Sequence, residues 1–400
     1  MHCVQKISES IYWVGGNDRR LERFENMFPI PKGVSYNSYL ILDEKTVLMD
    51  TVDFAISRLF IENITHVLDG RDLDYLVINH MEPDHCASIE ELVRIYPNLK
   101  IVGNKKTFQF LGQFYNFDYS NNTYEVKDCD TLNVGSHKLK FFTAPMVHWP
   151  EVMFTYEETE GILFSADAFG TFGALAGNIF SDETDFDHYY LEEARRYYAN
   201  IVGKYGAQVQ SILKKVSSSP INMICSLHGP VWRKNIEYIL DKYNKWSKYE
   251  PEKKGVVIVY ASMYGNMENT ANVIANKLAQ KGVQDIRVYD VSKTHPSYIV
   301  SDIWKYSHVI FASVTYNMGL YYGMESLLHE LKALNMQNRT VSLAGSGTWS
   351  PAAVKVMREI LGCMKNVEIA GIPFEITSSM KKDQEPELDK FVEDIYETLI

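Results

Sequence analysis

The stretch Asn79-His80-Met81-Glu82-Pro83-Asp84-His85 packs two imidazoles and two carboxylates into the six residues from His80 to His85. It follows an apolar run, Tyr75-Leu76-Val77-Ile78, that reads as a buried strand. Pro83 is expected to keep the four side chains off a helix. A loop at the carboxyl end of a strand would then turn them toward one point. Imidazole and carboxylate donors mixed in this way suit zinc, manganese or iron. The competing reading is a solvated polar loop, and the rest of the chain decides between the two.

Three later apolar strands also end on candidate ligands. The strand over 137–143 leads through Ala144-Pro145-Met146-Val147 to His148, Gly161-Ile162-Leu163-Phe164-Ser165 leads to Asp167, and Asn222-Met223-Ile224-Cys225 leads to His228-Gly229-Pro230. The set His80, Glu82, Asp84, His85, His148, Asp167 and His228 is too large for one tetrahedral ion and fits two metals. Asp167, alone between two histidine-bearing strand ends, is the natural bridge. The other histidines, His2, His66, His137, His188, His295, His308 and His329, lack such company and read as surface or packing residues.

Short β-branched segments over 10–14, 38–42 and 45–50, separated by Gly, Asn or Asp, read as antiparallel strands. Helices are expected over 58–68, 87–96, 107–115 and 191–205, with a further strand at Ile101-Val102-Gly103. The charged, proline-bearing segment Asp241 to Gly255 reads as a linker. Beyond it five apolar strands alternate with helices, which predicts an open parallel sheet covered on both faces. The division expected is a domain over 1–250 and a second over 251–400.

Ligands of such sheets bind at the carboxyl ends of the strands. The loop Ser262-Met263-Tyr264-Gly265-Asn266 feeds a helix and is neither G-x-G-x-x-G nor a Walker loop, which disfavours a dinucleotide or a nucleoside triphosphate. It can still hold a single phosphate at the helix N-terminus. Val314-Thr315-Tyr316-Asn317 and Ser346-Gly347-Thr348-Trp349, after the third and fourth strands, offer hydrogen bonds and aromatic faces to a planar ring.

Four hundred residues suggest two or three domains, and 46% hydrophobic residues supply more than one core. A net charge of -11 argues against a nucleic-acid partner. The five cysteines are scattered with no C-x-x-C pair, which excludes a thiolate metal ribbon and argues against a disulfide framework. A reducing cytoplasm fits, and neither a signal peptide nor a membrane-spanning run is visible.

The order H-x-E-x-D-H, then His148, Asp167 and His228, with Trp149-Pro150 and Ser165-Ala166-Asp167-Ala168-Phe169-Gly170 around them, resembles the metallo-β-lactamase superfamily in its flavodiiron branch. The loops of the second half resemble flavodoxin. The resemblance implies an N-terminal αβ/βα sandwich, a C-terminal five-stranded flavodoxin-like domain, FMN and two non-haem irons. One iron would be held by His80, Glu82 and His148, the other by Asp84, His85 and His228, with Asp167 shared. Hydrolytic zinc members usually have a histidine where this chain has Glu82, and a carboxylate there favours iron. Many relatives carry a histidine where this chain reads Glu25, after Arg23-Phe24, and the phosphate loop has Asn266-Met267 in place of the more usual hydroxyl residues.

The activity so implied is reduction of oxygen to water or of nitric oxide to nitrous oxide. Full reduction of oxygen takes four electrons, which two ferrous irons and a dihydroflavin hold; coupling two nitric oxides takes two. Tyr197 is a candidate phenol near the open coordination positions, with Tyr198 beside it. The family also implies a head-to-tail homodimer or a dimer of dimers, with one subunit's flavin facing Glu82 and Trp149 of the other. The electron donor would be a separate rubredoxin-type protein, or a reduced deazaflavin as in some relatives. Two alternatives stand beside this reading. A zinc hydrolase would use the first domain alone, and a flavodoxin-like electron carrier the second alone.

Overall fold

Two mixed sheets frame the first part of the chain in the computed structural model, which describes residues 2–400. The first sheet runs in the order Gln5–Lys6, Ile11–Trp13, Tyr39–Leu42, Thr46–Met49, Tyr75–Val77, Lys100–Gly103, Thr123–Glu125. Its early pairs are antiparallel and its pairs from Thr46–Met49 onward are parallel. The second runs Thr131–Asn133, Lys138–Thr143, Met153–Glu157, Ile162–Phe164, Met223–Cys225, with only the last pair parallel. Side chains join them where both are buried. Tyr39 Oη donates to the Ser226 carbonyl at 2.8 Å, and Thr155 Oγ1 donates to Asn79 Oδ1 at 2.7 Å. The strands bearing the candidate ligands are thereby held in register across two sheets.

Several expectations are corrected. Pro83 does not keep the ligand stretch off a helix: Pro83–Cys86 is a single helical turn with Pro83 in its first turn. Proline is tolerated there because its missing N–H would have no intrahelical partner and its φ is already helical. The segment expected as a linker is helical over its first half, since Ile236–Ser247 forms a helix. Ile239, Tyr243 and Trp246 are fully buried along it, and that apolar stripe outweighs the charges between them. The helix expected over 191–205 is broken into an α segment Leu191–Tyr197, a π turn Tyr198–Val202 and a 3₁₀ turn Gly203–Tyr205. The last of the five strands expected beyond the linker is in two pieces, Val367–Ile369 and Phe374–Ile376.

Chain contacts separate one compact unit, up to Tyr198 and over Tyr205–Asn244, from another formed by Ala199–Lys204 and Lys245–Ile400. The second unit is a parallel sheet ordered Ile286–Asp290, Lys253–Ala261, Tyr306–Tyr316, Arg339–Ser346, then Val367–Ile369 and Phe374–Ile376. On one face Val256, Ile258 and Ile310 meet the helices Asn266–Gln280 and Glu385–Leu399 through Ile274, Leu278, Phe391 and Ile395. Val257, Val259 and Phe311 alternate with them and are equally buried, so both faces of the sheet are covered.

His308 is nearly buried in this unit, with Nδ1 2.7 Å from Ser307 Oγ and Nε2 3.1 Å from Thr398 Oγ1. Burial, and then the Lys254 charge, push it down to about 4 from an ordinary 6.5. The folded state favours the neutral ring. The stability this contributes is complete above the ordinary value and is lost as pH falls from 6.5 toward 4. His308→Gln is expected to flatten that decline, read as urea midpoints of this unit at pH 7 and pH 4.5.

Candidate functional site

Each candidate ligand stands just beyond the carboxyl end of a strand or on the turn that follows it. Asp50, ending the strand Thr46–Met49, anchors the first group: one of its oxygens accepts from the backbone N–H of Asn79 at 2.7 Å and of His80 at 3.1 Å, and the other accepts from Asn79 Nδ2 at 2.7 Å. Burial pushes its carboxyl up to about 6. Asp50 is absent from the sequence reading. Its only signal was an apolar strand ending on an acid, the same signal that marks Asp167.

Ligand atoms of His80, Glu82, His148 and Asp167 lie within 4.8 Å of one another, and those of Asp84, His85 and His228 form a second such group. In the first, His148 Nε2 is 3.1 Å from Glu82 Oε2 and 3.0 Å from Asp167 Oδ2, and His80 Nε2 is 3.2 Å from Glu82 Oε2. In the second, His85 Nε2 is 3.2 Å from Asp84 Oδ2, and His228 Nε2 is 3.4 Å from the same oxygen. Asp167 divides between them. Its Oδ2 faces the first group, while its Oδ1 lies 3.2 Å from His85 Nε2 and 3.6 Å from His228 Nε2.

All seven residues are at least nine-tenths buried. Both Asp84 oxygens and Asp167 Oδ1 are buried without a hydrogen-bond partner, which is costly unless a cation lies nearby. Burial would push His80 and His148 down, but hydrogen bonds to acidic neighbours reverse this. His148 is raised to about 9 by Asp167 and Glu82, and His80 is raised well above the usual imidazole range by Glu151 and Glu82. Burial likewise opposes ionisation of Asp167, yet His85 and His148 hold its carboxyl well below the usual range. Three carboxylates crowded among four imidazoles draw positive charge into a dry site.

Glu25 sits at a tight turn with φ of 50°. Protein packed round its carboxyl and the neighbouring Glu82 carboxylate push it up to about 8, although much of the residue faces solvent. Tyr197 is fully buried, its ring 5.5 Å from that of His228 and its hydroxyl without a partner. Tyr198 packs on Tyr243 instead, at 5.0 Å between rings. Trp149 meets His80 edge-on at 5.3 Å. Glu151, also absent from the sequence reading, accepts from His80 Nδ1 at 2.8 Å. Of the histidines read as surface or packing, His137 is buried, between Ser10 Oγ at 2.7 Å and Glu157 Oε1 at 3.1 Å.

Gly229 follows His228 at φ +77°, and a Cβ there would lie 2.0 Å from Thr171 Cγ2. Gly229→Ala combines a left-handed backbone with a clash and is expected to destabilise this unit by about 2–4 kcal/mol, read from thermal unfolding.

The second unit holds a separate cavity of about 780 Å³ lined by Ser262, Met263, Tyr264, Asn266, Val314, Thr315, Tyr316, Asn317, Met318, Ser346, Gly347, Thr348, Trp349 and Ser378. Gly265 does not line it. Its role is the turn, at φ +86° ahead of the helix Asn266–Gln280, with its N–H donated to Ser262 Oγ at 3.1 Å. Thr315 Oγ1 accepts from the N–H groups of Ala352 and Ala353 at 3.0 and 3.3 Å, so its oxygen braces the start of the helix Ala353–Leu361 and only its proton remains to donate. Met318, next to Asn317 in the second of these loops, also lines it, and Ser378 extends the lining beyond the three loops singled out in the sequence. Tyr264 and Trp349 are 87% and 76% exposed, leaving flat aromatic faces at the rim.

Residues 34–229 match the ODP family beta lactamase model and residues 258–366 the Flavodoxin model. An uncharacterized protein of Methanocaldococcus jannaschii is 35% identical over 89% of both chains. The anaerobic nitric oxide reductase flavorubredoxin of Klebsiella pneumoniae is 32% identical over 96% of this chain and 78% of its own. Among solved structures, rubredoxin oxygen:oxidoreductase from Desulfovibrio gigas superposes with a TM-score of 0.92 at 29% identity, covering 99% of this chain and 98% of that one. The flavodiiron protein of Giardia intestinalis gives 0.89 at 27%, covering 98% and 95%.

Proposed function

Since the chain belongs to the flavodiiron protein family, we propose that it is an oxidoreductase that reduces a diatomic gas, oxygen to water or nitric oxide to nitrous oxide, at a non-haem diiron site supplied by FMN. The observation that carries this reading is Asp167, whose two carboxylate oxygens face two separate ligand groups. Each group then has two imidazoles and one carboxylate of its own. Orphaned oxygens on Asp84 and Asp167 fit a cation at each position. The carboxylate of Glu82, where zinc hydrolases usually present a histidine, favours iron.

The 780 Å³ cavity suits a ligand of FMN's size. The N-terminus of the helix Asn266–Gln280 opens beside Ser262 and Asn266, where the helix dipole and free N–H groups suit one phosphate. Tyr316 and Trp349 offer faces to a planar ring.

When bound, iron supplies one-electron redox chemistry and Lewis acidity, and FMN supplies a two-electron store. The chain's own residues do the rest. Asp167 fixes the spacing of the two positions, so that two atoms or two small molecules are held side by side. The burial of His80, His85 and His228 keeps bulk water from that face. Glu25, raised to about 8 beside Glu82, can hold a proton at the rim near neutral pH. Tyr197, whose ring lies beside that of His228, offers a phenol hydroxyl.

The names of the relatives support a rubredoxin-type electron donor. A head-to-tail dimer would place Glu82 and Trp149 of one chain against the flavin of the other. All five cysteines are free, three of them exposed, which suits a reducing cytoplasm. Among the described residues no helix is long and apolar enough to cross a membrane. Metal and flavin analysis of the purified protein tests the reading. Two irons and one FMN per chain are expected, and bound zinc with ester or lactam turnover would overturn it.

A further inference from the structure

The two ligand groups are alike in kind, each with two imidazoles, one carboxylate and one oxygen of Asp167. They differ in what stands behind the imidazoles. His80 Nδ1 meets a carboxylate, Glu151 Oε1, at 2.8 Å, while His228 Nδ1 donates to a neutral carbonyl, that of Ser35, at 2.7 Å. His85 Nδ1 is buried and has no partner.

Glu151 is built to hold this place. It is 1% exposed, and the oxygen that faces His80 also accepts from the Met81 N–H at 2.8 Å. Asn104 Nδ2 donates to its backbone carbonyl at 2.5 Å, fixing the turn ahead of the strand Met153–Glu157. A carboxylate that accepts the Nδ1 proton leaves Nε2 more electron-rich than a carbonyl does, and it fixes both tautomer and ring plane. No residue does the same on the other side.

We propose that Glu151 is a positioning residue that makes the two metal positions unequal, so that the metal at His80, Glu82 and His148 is held more tightly and has the lower reduction potential. The inference rests on the diiron reading above. It goes beyond that reading, since the ligand sets alone would make the two positions equivalent.

The test is graded chelator challenge of the full-length holoprotein, counting metal released per chain, together with a redox titration of the iron couples. The wild type should release its metals in two separated steps. Glu151→Gln keeps an acceptor for His80 and Met81 but removes the charge, so the later step should move about 10–100-fold toward the earlier one, which should stay in place. The lower of the two midpoint potentials should rise and the other hold. Glu151→Asp, which keeps the charge but withdraws it by one methylene, should fall between. Flavin content, set in the other unit, should not change in either variant. Release of two metals from the wild type in a single step would overturn the role of Glu151, and so would a Glu151→Gln variant whose steps and potentials match the wild type. This reads on the wild type even if the variant does not fold. A wild type that never holds two metals would overturn the diiron reading itself, and the inference with it.

Discussion

Asp84→Ala and His148→Ala should each abolish gas turnover, by about a thousandfold or more, while FMN stays bound. The two residues come from different strand ends and belong to different ligand groups, so their joint effect separates a dimetal mechanism from any activity of the flavin unit alone. His148 Nε2 lies within 3.1 Å of both Glu82 and Asp167, and its loss leaves His80 as the one imidazole of the group beside those two acidic oxygens. Asp84 is the only carboxylate that its group does not share. Without it, His85 and His228 would offer two neutral donors and half of Asp167 to a dication. Gas consumption under reducing conditions and flavin absorbance on the same samples provide the check. Turnover retained in either variant would assign the activity to the flavin unit.

Arg339→Met should destabilise the flavodoxin-like unit by about 3–5 kcal/mol. Arg339 is 3% exposed and has no carboxylate partner among the described residues. Its guanidinium instead gathers carbonyls: Ile303 at 2.7 Å, Trp304 at 2.8 Å, and Tyr249, Gln337 and Asn338 at 2.7, 3.1 and 3.0 Å. Those oxygens belong to a helix end, a turn near the start of the unit and the approach to the strand Arg339–Ser346. Methionine fills much of the volume and satisfies none of them, and each carbonyl left buried without a donor costs free energy. Burial pushes Arg339 down to about 9, so it stays charged at neutral pH. Chemical denaturation followed through flavin release should show the loss.

The sheet of the second unit was legible because its strands are buried on both faces and appear as uninterrupted apolar runs, such as Val256-Val257-Ile258-Val259. The same logic concealed Met153–Glu157, a central strand buried at all five positions. Glu157 and Thr155 interrupt its apolar character: Thr155 is paired with the distant Asn79, and the Glu157 carboxylate accepts from the N–H groups of Thr159 and Glu160 in the turn that follows. The helix Ile236–Ser247 was obscured by its own charges, since Tyr243 and Trp246 show their burial only once the partner surfaces are present.

The ligand stretch and the three later strand ends could be picked out because function there sits on the short step beyond an apolar run, which sequence displays directly. Glu151 and Asp50 carry no such mark. An acid after Trp149-Pro150 looks like any surface acid until the fold brings it against His80 Nδ1. Tyr197 and Tyr198 are adjacent in sequence, yet only Tyr197 turns its ring toward His228, because neighbouring helical positions lie about 100° apart.

The most direct measurement is a single turnover. The holoprotein is reduced anaerobically, mixed separately with oxygen and with nitric oxide, and its products are counted. Oxygen should be consumed without hydrogen peroxide, or nitric oxide should be converted to nitrous oxide, in step with reoxidation of both iron and flavin. Flavin reoxidation that yields hydrogen peroxide from oxygen and no nitrous oxide from nitric oxide would contradict a reaction at the site built around Asp167.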